Sequence, residues 1–320
     1  MINRARTLAA AATLCAAALL EGCGGGGGSA SSTAGGSGGE PVVTAVRTES
    51  LKYGLPSTFV VTGSNLDTTV KEALGGAVAC SAPSLTRVSA SELRVVCTPN
   101  DLGVLQVSLV SGGKTLATHT AEVLTPRVMM EIGTGTERRQ LELTVNLGAA
   151  GGLQRTWANN FLHYVNIGFY QDTILDMLED MTRIEGGCLT RKAPVGGTPS
   201  ITDKNIPTTS VFNPEPVLPS SVTEAISNKK YTLAMGPAKC DGTQYSRFSL
   251  NLIDNSGGIS ARDDKKYVAI GSYAGTDPLI QQSLTDLSIL ARNTSNNKPL
   301  REWTADELAP RTIRSMTRIR

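Results

Sequence analysis

The side chains that most often do chemistry are few in this chain of 320 residues. Its two histidines, His119 and His163, lie far apart, and neither has a cysteine or a carboxylate at the spacing of a metal-ligand pair. A histidine-based metal site, or a triad of serine, histidine and aspartate, is therefore not expected. The sequence predicts neither a metal nor any other cofactor.

The cysteines indicate disulfides rather than a reactive thiol. The chain has 6 cysteines and no CxxC motif, which argues against a zinc or thiol-redox site. Four of them fall two by two into separate parts of the sequence. We therefore predict the disulfides Cys80–Cys97 and Cys188–Cys240, which suit an oxidising compartment.

The N-terminal segment has the order of an export signal. Two arginines precede an apolar stretch from Leu8 to Leu20, which is too short to be kept as a membrane span. The following Leu20-Glu21-Gly22-Cys23 resembles a lipobox, in which the cysteine receives a lipid. Residues 1–22 are predicted to be a lipoprotein signal peptide and Cys23 the lipidation site. The alternative is an ordinary signal peptide cut nearby, which would leave Cys23 free.

Residues 23–40 are predicted to be the lipidated cysteine and a flexible tether. Glycine, serine, alanine and threonine make up almost all of this segment, so it cannot bury enough apolar surface to order itself. Gly24 follows the cysteine, which by resemblance to sorted lipoproteins favours the outer membrane, facing the periplasm or the cell surface. The net charge of +2 is too small to suggest nucleic acid as a partner.

The rest of the chain has the composition of a mainly β protein. The 33 glycines and 15 prolines indicate many turns, and with 4% aromatic residues the cores must consist mainly of Val, Leu and Ile. In residues 41–125, short apolar runs are separated by turn residues. Leu105, Val107 and Leu109 alternate with polar residues, which places them on one face of a strand. This pattern predicts an antiparallel β-sandwich.

Three short stretches of residues 41–125 resemble an IPT/TIG immunoglobulin-like domain. They are Pro41-Val42-Val43, the Val-Thr-Gly-Ser-Asn-Leu of residues 61–66, and Cys97-Thr98-Pro99. The resemblance implies a structural spacer or a partner-binding module, and the sequence leaves both open.

Residues 126–293 are predicted to form a second domain. Leu141, Leu143 and Val145 alternate as in a strand, whereas aromatic and apolar residues recur at helical spacing at Trp157, Phe161 and Val165. Residues 194–219 contain many prolines, which predicts a long irregular loop.

Five stretches of this second domain resemble cyclophilins in the same order along the chain. They are residues 160–170, the Ile-Glu-Gly-Gly of 184–187, and the stretches 227–235, 246–255 and 267–271. The resemblance implies a cyclophilin-like β-barrel with flanking helices. It also implies a peptidyl-prolyl cis-trans isomerase, which acts on proline-containing protein segments.

The residues at the family's catalytic positions differ from the family pattern. Rotation about an X-Pro bond is slow because the amide has partial double-bond character, and a fixed guanidinium can stabilise the twisted amide. Leu175-Asp176-Met177 stands where the family has Phe-His-Arg, so Met177 replaces the catalytic arginine. Thr182 and Arg183 replace the pocket phenylalanine and methionine.

The later site positions are altered as well. Glu185 and Arg247 each replace a glutamine, and Ser249 replaces the second phenylalanine, which contacts the proline ring, whereas Phe248 is kept. The tryptophan and histidine at the rim become Arg262 and Tyr267. The scaffold residues therefore match the family, but most of the site residues do not.

Two interpretations of this site remain open. In the first, Glu185 and Arg247 form a cross-strand ion pair, and the isomerase is impaired or inactive and binds proline-containing segments. In the second, Arg183 or Arg247 supplies the guanidinium and some isomerase activity remains. A third possibility belongs to another class of function, a non-enzymatic structural or adhesive surface lipoprotein that binds an envelope partner through residues 41–125.

The second domain is predicted to end with a closing strand, followed by a C-terminal tail. Residues 283–292 are expected to form its closing strand. Residues 294–320 are polar and end in several arginines, which favours a solvated tail. Contact of this tail with anionic lipid or with a cell-wall polymer is the alternative.

Overall fold

The computed structural model describes eleven ranges of the chain, which are residues 39–66, 69–133, 138–179, 183–195, 198–213, 215–216, 228–236, 239–240, 244–254, 267–273 and 304–320. The signal peptide, Cys23 and almost all of the tether lie outside these ranges, as do Thr182, Arg262 and the closing strand expected at 283–292. Within them, no helix combines the length and the apolar composition needed to cross a bilayer.

Seven strands form two antiparallel sheets in the first part of the described chain. They are β1 (Val42–Ser50), β2 (Ser57–Ser64), β3 (Lys71–Gly76), β4 (Cys80–Arg87), β5 (Glu92–Pro99), β6 (Gly103–Ser111) and β7 (Lys114–Val123). One sheet has the order β1-β2-β5-β4, and the other has the order β3-β6-β7. Leu105, Val107 and Leu109 are fully buried, as their alternation along β6 predicts.

Nine strands form a third sheet, which is nearly closed into a barrel. They are β8 (Arg127–Ile132), β9 (Arg139–Val145), β10 (Thr173–Glu179), β11 (Arg183–Val195), β12 (Thr198–Asp203), β13 (Thr232–Met235), β14 (Phe248–Asn251), β15 (Val268–Tyr273) and β16 (Ile313–Arg318). The order is β10-β11-β14-β13-β15-β9-β8-β16, and β12 pairs with β11 outside this path. A bridge between Ile174 and Thr312 joins the two ends. The predicted mainly β fold with a barrel is therefore confirmed.

Helix α1 (Leu153–Asn166) contributes aromatic side chains to the barrel core. Trp157, Phe161 and Val165 are buried, as their helical spacing predicts. The ring of Phe161 lies 5.5 Å from that of Tyr170 and 6.3 Å from that of Phe248. The remaining described helical segments are the four-residue helix α2 (Ala305–Leu308) and the 3-10 turns Thr208–Ser210 and Ala309–Arg311.

Both predicted cysteine pairs are joined in the structure. Cys80 and Cys97 connect β4 to β5, with their Cα atoms 5.7 Å apart. Cys188 in β11 is bonded to Cys240, and their Cα atoms lie 5.3 Å apart. The first disulfide therefore joins two neighbouring strands of one sheet. The second joins β11 to a segment 52 residues further along the chain.

The expectation of one long irregular loop over residues 194–219 is wrong in its first part. Residues Thr198–Asp203 form β12, which pairs with the far end of β11. The prolines concealed this strand, because a proline removes a backbone donor. Such a residue is nevertheless tolerated at the start of an edge strand, and Pro199 is the second residue of β12, which pairs with β11 alone.

The expected solvated tail at residues 294–320 is also wrong for its last part. Residues Ile313–Arg318 form β16, which pairs antiparallel with β8 and brings the C-terminus into the barrel sheet. The pairing register shifts between Ile313 and Ser315, so the two buried side chains of β16 are Ile313 and Met316, three residues apart. This bulge breaks the period of two by which a strand is recognised.

Replacing Ile313 by alanine tests whether β16 belongs to the core. Ile313 is fully buried, and we expect Ile313→Ala to lower the free energy of unfolding by about 2–5 kcal/mol. The neighbouring Arg314 is exposed, and Arg314→Ala should change the free energy of unfolding by no more than about 0.5 kcal/mol. Denaturant unfolding of the two variants makes the comparison, and equal small effects would show that β16 is dispensable.

Candidate functional site

Three neighbouring strands place the predicted site residues next to one another. In β10 and β11, Met177 is paired with Glu185, and in β11 and β14, Glu185 is paired with Ser249. Directly paired residues of antiparallel strands share one face of the sheet. Glu185 and Ser249 therefore share one face of the barrel sheet, and Met177 is the position paired with Glu185 on the next strand.

A group of five side chains at this face forms what we call the charged cluster. Its members are Asp176, Arg183, Glu185, Arg247 and Tyr267. The two carboxylates have side chains only 6% and 2% exposed, and the two guanidinium side chains are 13% and 11% exposed. Charges removed from water to this extent require close partners of opposite sign.

Glu185 lies at the centre of the charged cluster and is shared by both arginines. The Nη1 group of Arg247 donates a hydrogen bond to Glu185 Oε2 over 3.2 Å, and Arg183 Nε lies 2.8 Å from Glu185 Oε1. The hydroxyl of Tyr267 donates a second hydrogen bond, of 2.5 Å, to Oε1. The ion pair predicted between Glu185 and Arg247 is therefore present, and Arg183 and Tyr267 are further partners of the same carboxylate.

Arg247 has a second carboxylate partner, which the sequence did not reveal. Its Nη2 group lies 2.8 Å from Asp176 Oδ2 in β10. Arg247 thus connects Asp176 on one side with Glu185 on the other, and it directs both terminal nitrogens at carboxylates. No local pattern predicts this contact, because Asp176 lies in β10 and Arg247 directly precedes β14, and these two strands lie on either side of β11.

The electrostatics follow from this burial. Burial raises the pKa of Asp176 to about 6, against its usual 3.8, although Arg247 acts in the opposite direction. Burial by itself would lower the pKa of Arg247, but the carboxylates of Asp176 and Glu185 outweigh it and raise that pKa. Arg247 therefore stays charged, whereas Asp176 titrates near neutral pH.

Tyr267 supports the charged cluster in two ways. Burial and the adjacent Glu185 carboxylate raise the pKa of Tyr267, so its phenol keeps the proton that it donates. The guanidinium carbon of Arg183 also lies 4.9 Å from the centre of the Tyr267 ring, which is the geometry of a cation–π contact. Tyr267 thus fixes both Arg183 and Glu185. The sequence placed this residue only at the rim of the site.

Phe248 and Ser249 point to opposite sides of β14. Phe248 is fully buried in the barrel core, where its ring lies 5.5 Å from that of Tyr170. Ser249 is 1% exposed and is paired with Glu185. A hydroxyl therefore occupies the position at which the family resemblance implies an aromatic wall for the proline ring.

Gly187 allows β11 to pass close to the core. Its φ of +88° lies in the region that favours glycine, and an added Cβ would come within 2.6 Å of the Tyr170 ring. The Ile-Glu-Gly-Gly stretch therefore combines a steric requirement of the barrel with the central carboxylate of the charged cluster.

The remaining candidate residues lie apart from the charged cluster. His119 contacts Thr48 in the part of the chain formed by strands β1 to β7, which we call the two-sheet module or first module. His163 contacts the backbone of Ser210. Within the described ranges, no group of three or more His, Cys, Asp or Glu side chains could hold a metal ion. Thr182 and Arg262, two predicted site positions, lie outside those ranges.

A comparison with protein families identifies the domain that contains the charged cluster. Residues 155–281 match the family model described as "Cyclophilin type peptidyl-prolyl cis-trans isomerase/CLD". The chain contains a cyclophilin-type domain. In the structure, the matched range includes most of α1 and strands β10 to β15, whereas β8, β9 and β16 complete the barrel from outside it.

Solved structures of the same family are similar to this chain. One is a cyclophilin type peptidyl-prolyl cis-trans isomerase of Cryptosporidium parvum, with 14% sequence identity and a TM-score of 0.32. The match covers 62% of this chain and 99% of the Cryptosporidium chain. A second structure of that protein, in the presence of the dipeptide Ala-Pro, has 13% identity, a TM-score of 0.32, and coverage of 59% and 97%. No curated protein matches the chain in sequence.

The dependence of the cyclophilin-type domain on the charged cluster can be tested with two matched glutamates. We expect Glu185→Gln to lower the free energy of unfolding by about 3 kcal/mol, because it leaves two buried guanidiniums without their shared carboxylate. Glu142, which lies 2.7 Å from Arg127 in a more exposed ion pair, is the control. Glu142→Gln should change stability by less than about 1 kcal/mol in the same denaturant titration.

The pKa of Asp176 predicts a pH dependence with a definite sign. Its pKa of about 6 in the folded protein exceeds the usual 3.8, so the folded state binds the proton more tightly. The stability from this group is therefore fully present below pH 3.8 and is lost as the pH rises through about 6. The free energy of unfolding of the wild type, minus that of Asp176→Asn, should fall between pH 4 and pH 7. A flat or rising difference would contradict the assignment.

Proposed function

We propose that this protein is a lipid-anchored envelope protein whose cyclophilin-type domain binds proline-containing protein segments and has lost most of its isomerase activity. The support for the anchor is the sequence around Cys23. The support for lost activity is the charged cluster, in which both candidate arginines are held by buried carboxylates.

The ion pairs bear directly on catalysis. An arginine that accelerates isomerisation must direct free donors at the prolyl nitrogen as the amide twists. Arg247 directs its two terminal nitrogens at Asp176 and Glu185, and Arg183 lies against Glu185 and the Tyr267 ring. Arg247 could not serve a substrate without leaving the buried carboxylate of Asp176 without its ion-pair partner, which costs several kcal/mol. Arg183 would have to give up both its ion pair with Glu185 and its contact with the Tyr267 ring.

The surface chemistry of this face argues in the same direction. A proline ring is apolar, and a catalyst holds it against apolar walls while a donor approaches its nitrogen. At the start of β14, the two positions that flank Phe248 are Arg247, which precedes the strand, and Ser249, both polar, and Glu185 lies opposite Ser249. We therefore expect weak binding of proline-containing segments at this face, governed by polar contacts more than by burial of the ring.

A gain-of-function experiment tests the proposal. Purified full-length protein is mixed with a peptide that has one Ala-Pro bond, and the exchange rate between its cis and trans forms is measured by NMR. The wild type should match buffer. Met177→Arg combined with Glu185→Gln should raise the rate by about tenfold or more, because it supplies a donor without its competing carboxylate.

Two matched variants make the result specific. Met177→Lys with Glu185→Gln supplies the charge without the planar fork of donors and should give a smaller gain. Arg127→Ala, in the exposed ion pair with Glu142, should leave the rate unchanged. If the wild type instead exceeds buffer and either Arg183→Ala or Arg247→Ala abolishes that rate, the domain is an active isomerase and the proposal of lost activity is wrong.

A further inference from the structure

A second site lies between the two-sheet module and the barrel. It is an open cavity of about 310 Å³, lined by Tyr53 and Asn100, by Asn159, His163 and Asn166 of α1, and by Phe212 and Arg318. We call it the interdomain cavity. It shares no lining residue with the charged cluster, and its volume is at the lower end of ligand pockets, which begin at roughly 300 Å³.

The walls of the interdomain cavity are fixed against each other by hydrogen bonds. The hydroxyl of Tyr53 donates to Asn159 Oδ1 over 2.9 Å, and Arg318 Nη2 donates to the carbonyl of Tyr53 over 3.2 Å. Beside the cavity, Arg155 Nη2 donates to Asp101 Oδ1 over 3.0 Å. Because both modules contribute to these bonds, the cavity is a preformed feature of their junction.

The polar lining offers side-chain groups rather than free backbone groups. The backbone N–H of Gly54 already donates to Pro99, and that of Asn100 donates to Ala79. An extended peptide would need such groups to pair with its own backbone. What remains are amides, which donate and accept, and aromatic rings, a combination that suits hydroxyl groups on a small ring with an apolar face.

Two of the polar groups have their roles set by existing contacts. The carbonyl of Asn159 accepts from Tyr53, which leaves its NH₂ group to donate. His163 Nε2 lies 2.7 Å from the carbonyl oxygen of Ser210, and since a carbonyl only accepts, Nε2 carries the proton. In the neutral ring, Nδ1 is then an acceptor. The lining therefore presents donors and acceptors together.

The charge of the interdomain cavity is positive. Arg318 is the one charged side chain among its lining residues. Its Nη2 and Nε groups donate to the backbone carbonyls of Tyr53 and Arg320, and its Nη1 is buried and, within the described part of the chain, has no hydrogen-bond partner. Unlike Arg247, it therefore has no carboxylate side chain among its described partners. An anionic ligand would supply the missing counter-charge.

We infer that the interdomain cavity binds a sugar of one or two rings that carries a carboxylate. The amides meet the hydroxyls, the partly exposed ring of Phe212 meets the apolar face of the sugar, and the carboxylate approaches the guanidinium of Arg318. This site is independent of proline binding at the charged cluster, so either can fail without the other.

The test titrates full-length protein with D-glucuronic acid, D-glucose and the dipeptide Ala-Pro, followed by NMR and calorimetry. D-glucuronic acid should bind with a Kd of about 1 mM or tighter, and more tightly than D-glucose. Asn166→Asp adds a carboxylate at the cavity wall. It should lower the affinity for D-glucuronic acid by about fivefold or more and the affinity for D-glucose by less. Asn205→Asp, an exposed asparagine outside the lining, is the matched control and should change neither.

Arg318→Gln should remove the preference for the acidic sugar, with thermal unfolding used to confirm that the variant is folded. The assignment is overturned if D-glucuronic acid does not bind at about 10 mM. It is equally overturned if Asn166→Asp and Asn205→Asp have the same effect, or if Ala-Pro displaces the sugar.

Discussion

The buried carboxylate of Glu185 is the constraint on which the face of the barrel depends. A charge that is almost completely removed from water is tolerated only when donors surround it. Here those partners are Arg183 in β11 and the residues that directly precede β14 and β15, Arg247 and Tyr267. Glu185 thus holds three segments of the chain in one arrangement, and it determines what the guanidiniums of Arg183 and Arg247 are free to do.

The same interaction separates the fold of this domain from its chemistry. The glycines next to Glu185 allow β11 to approach the core closely, and Phe248 packs inside the barrel. The residues that form the barrel scaffold are therefore present. The outward positions of the same strands are charged or polar. A family match therefore identifies the domain, whereas the proposal of lost activity rests on the ion pairs of the individual residues.

The junction of the two modules adds a feature that neither module has alone. The C-terminal strand β16 completes the barrel sheet, and Arg318 at its end reaches back to Tyr53 in the first module. The barrel and the two-sheet module are consequently connected by the last residues of the chain. The interdomain cavity is a direct result of that closure.

The sequence by itself determined the elements whose signal is local. Alternation identified β6 and β9, helical spacing identified the buried face of α1, and the cysteine spacing gave both disulfides. The ordered stretches from 160 to 271 indicated the cyclophilin-type domain, and the site positions on β11 and β14 followed from them. Each of these signals lies within a short segment or within one family motif.

Only the tertiary structure decided the features that depend on distant partners. The strand β16 has its two buried residues three positions apart because of a bulge, so no alternation marks it. Asp176 is a partner of Arg247 because β10 and β14 both flank β11. The sequence of neither strand indicates that the other lies nearby. Local periodicity reports which side of a strand faces the core, but pairing across strands is set by the closure of the barrel as a whole.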